Sequence, residues 1–187
     1  MQITVTFRRT SRLSIRITKS GEVHVSAPIG CPKREVKKFV YENQEWIEKT
    51  WEKRVNEIHS RNAFYNQLPL ETKEQCKEAT IRLNAIIPPL VQKYSKLMGV
   101  VPAGISYRAN TSRWGSCNVK TKHLIFSAYL LLLPDWCIEH VVVHELAHLL
   151  VPNHGPKFHA VMDQYFPRWK EARATTRQIA RNASTAK

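Results

Sequence analysis

The sequence predicts an α+β chain, and three observations carry that reading. Short runs with period-2 alternation fill the first 27 residues. Helical periodicities follow from residue 32 to about residue 58 and again from residue 72 to about residue 99. A strongly apolar stretch near residue 140 then holds two histidines four apart with a glutamate between them. The expected arrangement is an N-terminal β-meander, a small antiparallel sheet further on, and one central helix bearing the H-E-x-x-H pattern.

Residues 2–27 read as strands because Ile3, Val5 and Phe7, then Leu13, Ile15 and Ile17, then Val23, Val25 and Ala27 alternate with polar residues. Lys19-Ser20-Gly21-Glu22 is a turn signal. Pro32 suits the first turn of a helix, in which Val36, Phe39, Val40, Trp46, Ile47, Trp51, Val55 and Ile58 form the apolar set. Residues 60–70 lack periodicity and read as a connection. Thr72 with Gln75 is a capping box for a second helix, with an expected stripe of Ile81, Ile86, Leu90, Val91, Tyr94 and Leu97. Pro88-Pro89 should kink or split that helix, and Gly99 should end it.

Two strands are expected at 105–108 and 124–127. Between them Arg113-Trp114-Gly115-Ser116-Cys117 reads either as a bulged hairpin with a buried Trp or as an edge that takes an extended peptide. Its glycine marks a bend or a close backbone approach. Asp135 is the expected N-cap of the central helix, and Cys137, Ile138, Val141, Val142, Leu146, Leu149 and Leu150 make that helix apolar on most sides. Pro156 opens a further helix stopped at Pro167, and a basic helix occupies 168–182.

The chemistry is concentrated at His144-Glu145-Leu146-Ala147-His148 and His154. Each helical residue advances about 100°, so His144 and His148 share one face a turn apart and can grip one Zn²⁺, with Glu145 placed as general base. In a continuing helix His154 would lie about 240° round from His148, on the wrong side. The chain must therefore stop and double back. Pro152, Asn153, Gly155 and Pro156 supply the breaker where a third imidazole needs it. His159 and Glu171 are competing third ligands that the turn chemistry disfavours. His140, a turn before His144, reads as a structural core histidine, since 140, 144 and 148 together span about 12 Å of helix axis.

Composition bounds the partners. The 187 residues carry a formal charge of +14, with Arg8, Arg9, Arg12, Arg16 and Lys19 on the first strands and Arg168, Lys170, Arg173, Arg177 and Arg181 in the tail. That excess favours DNA or another polyanion as partner, although no recognised nucleic-acid motif accompanies it. A solvated basic surface accounts for it equally well. No signal-peptide pattern and no apolar run of membrane-span length is present, so no membrane association and a cytoplasmic location are expected. Cys31, Cys76, Cys117 and Cys137 are scattered, as expected of reduced, mostly buried thiols.

R-W-G-S-C at 113–117, V-V-H-E-L-A-H at 142–148 and N-H-G-P-K-F at 153–158 resemble the YgjP-like metallopeptidase family, related to the SprT-like zinc peptidases. The patterns at 9–17 and 21–28 resemble that family's leading region. The resemblance implies a zincin-like metallopeptidase core with His144, His148 and His154 as zinc ligands and Glu145 as catalytic base. It further implies a protein or peptide substrate. The expected layout is one domain over 1–187, with a β-meander plus helix at 1–60 and the catalytic core at 72–182. SprT-like relatives that act on DNA-bound proteins extend the expectation to nucleic-acid-associated substrates, by analogy alone. The metzincin pattern is excluded, because Val151 stands where that class has Gly and Met162 lies in a helical pattern. His140 departs from the aromatic residue expected at that position. The rival reading, from another class, is a basic nucleic-acid-binding module whose zinc is not catalytic. Against it, structural zinc sites favour four ligands and Cys.

Overall fold

The computed structural model describes residues 1–182, with side chains through residue 180. Arg181, counted in the basic tail, and residues 183–187 of the expected single domain lie outside the described side chains. The chain forms two compact units, Met1–Ala63 and Phe64–Asn182.

The first unit holds strands β1 (Ile3–Arg8), β2 (Ser14–Ile17) and β3 (Val23–Pro28), helix α1 (Lys33–Glu42) and most of helix α2 (Gln44–Asn66). The strands are where alternation places them, but they are not a meander. Their order is β1-β3-β2, with β1 parallel and β2 antiparallel to β3. The reason is the apolar content of β3: Val23, Val25 and Ala27 are fully buried, so this strand takes the centre. Val5 and Phe7 on β1 stay exposed. Val25 and Ala27 pack with Val36 of α1, flanked by Ile3, Leu13, Ile15 and Val40. The single helix expected after Pro32 is two, broken at Asn43, whose Nδ2 donates to the Phe39 carbonyl. Helix α2 runs through most of the expected connection, and Trp46, read as packing, is exposed.

In the second unit, α3 (Lys73–Met98) starts at the predicted capping box. The Gln75 N–H donates to Thr72 Oγ1 and the Thr72 N–H donates to Gln75 Oε1. It ends at Gly99, whose φ of 65° suits glycine. Pro88 and Pro89 do not split it. The buried stripe is Ala79, Leu83, Ile87, Val91, Tyr94 and Met98, and the expected Ile81 and Leu97 are exposed. More apolar residues than one face can hold made the choice of stripe ambiguous.

Strands β4 (Gly104–Arg108), β5 (Gly115–Asn118) and β6 (His123–Ser127) form a sheet ordered β4-β6-β5, with β4 parallel and β5 antiparallel to β6. The expected small antiparallel sheet is therefore mixed, again with the most buried strand central. Beside it lies α4 (Asp135–Ala147), buried on nearly every side. Its N-cap position is Pro134 rather than Asp135, which enters the first turn. Fully burying side chains such as Ile138, Val142 and Leu146 contributes about 1.5–3 kcal/mol each, so α4 is fixed in place by its packing. Helices α5 (Pro156–Tyr165) and α6 (Trp169–Asn182) pack against it. No helix among the described residues is long and apolar enough to cross a membrane.

Candidate metal centre

Helix α4 presents His144 on its last full turn, and His148 is its C-cap residue, still in helical conformation (φ −65°, ψ −21°). The two rings therefore stay on one face, with centroids 5.0 Å apart. The helix then closes with N–H donations from Leu149, Leu150 and Val151 to the Leu146 and Ala147 carbonyls. Pro152 blocks continuation, the Gly155 N–H donates to the Asn153 carbonyl, and Pro156 opens α5.

This reversal turns His154 back towards the pair. Its ring centroid lies 5.0 Å from that of His144 and 4.7 Å from that of His148, and the His144 and His154 Nε2 atoms are 3.0 Å apart. One ring nitrogen from each of the three histidines falls within 4.8 Å of the others. Ligand nitrogens around a tetrahedral zinc stand about 3.3 Å apart. The His144–His154 pair is close to that spacing, and the set as a whole can hold one small ion after a modest closing of the rings.

The electrostatics favour lone pairs over protons. Burial, with the charges of neighbouring histidines and Arg173 added, pushes His144 down to about 3. Burial and His154 lower His148, against hydrogen bonds to the Val151 and Pro152 backbone. The 3.4 Å contact of His148 Nδ1 with the Val151 carbonyl favours the tautomer that leaves Nε2 free.

Glu145 is 5 % exposed, and burial raises its carboxyl to about 8 against the pull of the Arg113 guanidinium. Its partner in packing is backbone. A Cβ built on Gly115 would lie 2.6 Å from Glu145 Oε1 and 2.7 Å from Cγ. The close approach expected at Gly115 is thus made by the glutamate. Trp114 is half-buried edge-on to Phe64, and its carbonyl accepts from the Ser127 N–H at 2.8 Å.

The competing ligands lie elsewhere. His159 stacks on Trp169, with centroids 5.0 Å apart and planes 16° from parallel, and Glu171 pairs with Arg168 at 2.7 Å. Cys117 is near the site, but burial and the Glu145 charge push its thiol up to about 11. All four cysteines are free, as expected, but only Cys137 is buried and Cys76 is exposed. Arg113 lines both cavities that border His144 and His154.

Sequence reasoning missed two features. Phe158 forms the floor of the triad, its ring 4.9, 4.8 and 4.8 Å from His144, His148 and His154. Its place as the last residue of N-H-G-P-K-F at 153–158 was a signal that it lies close to His154. His140, read as a structural core residue, is 7 % exposed with neither ring nitrogen hydrogen-bonded among the described residues.

A helix-borne histidine pair, a returning third histidine and a buried glutamate form a site of metallohydrolase type. A family profile described as YgjP-like, metallopeptidase domain, matches residues 11–71 and 71–178. The chain belongs to the YgjP-like metallopeptidase family, whose members are hydrolases of proteins or peptides that use a metal. Solved structures it resembles include the metallopeptidase zymogen jannalysin of Methanocaldococcus jannaschii, at 22 % identity and a TM-score of 0.45, over 49 % of this chain and 94 % of that one. The metallopeptidase zymogen abylysin of Pyrococcus abyssi gives 21 % identity and a TM-score of 0.44, over 49 % and 93 %. No curated protein matches.

Proposed function

We propose that this metallopeptidase uses zinc, held by His144, His148 and His154, and that Glu145 is its general base. The observation that carries the reading is the convergence of three imidazole nitrogens beside a buried carboxylate. When bound, the ion supplies a Lewis acid that makes water nucleophilic near neutral pH and polarises the scissile carbonyl. Glu145 accepts the proton of the attacking water and delivers it to the departing amine. Its burial suits that work, since a carboxyl poised near neutrality both takes and returns a proton.

Strand β5 pairs only with β6 among the described residues, so its other edge offers backbone groups to an extended peptide. A cavity of about 360 Å³ runs from Gly115, Ser116 and Cys117 to His148 and Pro152. A peptide laid there by strand addition crosses the triad with its carbonyl near Glu145. The test is metal analysis of purified protein together with cleavage of an unfolded protein. The expected result is one equivalent of zinc and chelator-sensitive hydrolysis. Hydrolysis that survives complete removal of metal would sink the reading.

The +14 charge supports a second reading of substrate choice, proteins associated with nucleic acid. DNA affinity that falls steeply with salt, together with faster cleavage of DNA-bound than free protein, is its expected signature. Equal cleavage of both removes it.

A further inference from the structure

A second cavity, about 400 Å³, also borders the site. His144, Glu145 and His154 border it, and it extends to His140, Trp169 and Arg173, which the proposed hydrolysis does not use. His140 is nine-tenths buried on its wall, with an N–H donor and a ring acceptor both unmet among the described residues. Arg173 has no carboxylate within ion-pair reach among the described residues, and its charge adds to burial in depressing His140 and His144. Glu145 is the only acidic residue on the lining, against Arg113 and Arg173. The rest of the wall is largely apolar. Trp169 is fixed there by donation from its Nε1–H to Asp163 at 2.6 Å and by the stacked His159 ring.

We infer that this cavity is a specificity subsite for a substrate residue bearing a carboxylate, its methylene stem against Trp169 and its oxygens received by Arg173 and the His140 N–H. The inference rests on the peptidase reading for its role in turnover, but binding can be measured without turnover. A planar guanidinium is matched to a carboxylate, and His140 borders the same cavity with both ring nitrogens buried and unmet among the described residues. A lysine or arginine side chain would meet two cations. An uncharged chain would leave both His140 and Arg173 unanswered. The carboxylate can belong to a Glu or Asp side chain within a peptide or to a free C-terminus, and the experiment separates the two.

Peptide pairs that differ only as Glu and Gln, C-terminally amidated, are compared with a Gln peptide ending in a free carboxylate. Two quantities are read: kcat/KM with the zinc-loaded protein, and Kd with the Glu145→Gln variant. Charge-assisted hydrogen bonds of this kind discriminate by about tenfold or more, so the acid peptide should exceed its amide twin by that ratio in both readouts. If the free C-terminus alone confers the advantage, the source is terminal; if internal Glu does, it is a side chain. Arg173→Gln should bring the ratio towards one and Arg173→Glu should invert it in favour of the Gln twin. His140→Leu should reduce the ratio by a smaller factor, and zinc content reports whether each variant folds. Cleavage with a wild-type ratio near one overturns the subsite and leaves the peptidase reading intact. Selective binding with no cleavage overturns the peptidase reading and keeps the subsite, and neither binding nor cleavage overturns both.

Discussion

Gly115 and Glu145 meet without room for a side chain between them: a methyl on residue 115 would stand 2.6 Å from Oε1 of the glutamate and 2.9 Å from Cδ. Strand β5 therefore sets the position of the carboxylate that α4 presents. The absence of a Cβ there is a requirement of the site, not of the turn. Gly115→Ala should push Glu145 out of position, reducing kcat/KM by about a hundredfold, since ångström-scale misplacement of a reacting group has that effect. Overpacking should lower stability by about 1–3 kcal/mol. Steady-state kinetics and denaturant unfolding check both, and near-wild-type turnover would mean that Glu145 need not sit where it does.

Glu145→Gln keeps the volume of the side chain and removes its basicity. Zinc stoichiometry should stay unchanged, because the three imidazoles do not depend on the carboxylate for their approach to one another. Hydrolysis should fall by about 10²–10⁴, the usual contribution of a positioned general base. Full activity in the variant removes Glu145 from the mechanism.

His154→Ala should abolish tight zinc binding, leaving a two-histidine site, while His159→Ala should keep it. The geometric reason is plain: His154 Nε2 is 3.0 Å from His144 Nε2, whereas His159 is stacked on Trp169. Metal analysis by mass spectrometry after dialysis distinguishes them, and zinc lost from the His159 variant instead would reassign the third ligand.

The convergence of the three histidines was legible because its geometry is local. His144 and His148 are joined by helical spacing, and His154 by a breaker whose residues announce themselves. Capping at Thr72 and the stop at Gly99 were legible for the same reason. What the sequence withheld is non-local. Nothing in the alternation of β1 and β2 says that β3 lies between them, and the two prolines of α3 gave a break where the helix runs on. His140 and Arg173, without hydrogen-bond or ion-pair partners among the described residues, became informative only once α4 and α6 were seen to share a cavity.

The same buried groups set a pH dependence in the metal-stripped protein. Three imidazoles are depressed from an ordinary 6.5, mainly by burial: His140 to about 4, His144 to about 3, and His148. As pH falls below 6.5 the unfolded chain takes up protons that the folded chain refuses, so stability drops on the acid side. Glu145 is raised from 4.5 to about 8, again by burial. Between those values the folded chain holds a proton that the unfolded chain has lost, so this group removes stability as pH rises. Three imidazoles outweigh one carboxyl below 6.5, and above it Glu145 acts alone. Stability of the stripped protein should therefore peak near pH 6.5. Glu145→Gln should flatten the alkaline limb, and added zinc should raise the curve least at acid pH, where protons compete for the same nitrogens. Urea midpoints from pH 4.5 to 8.5 are the measurement, and a midpoint still climbing at pH 8.5 would mean that Glu145 is not held protonated by its burial.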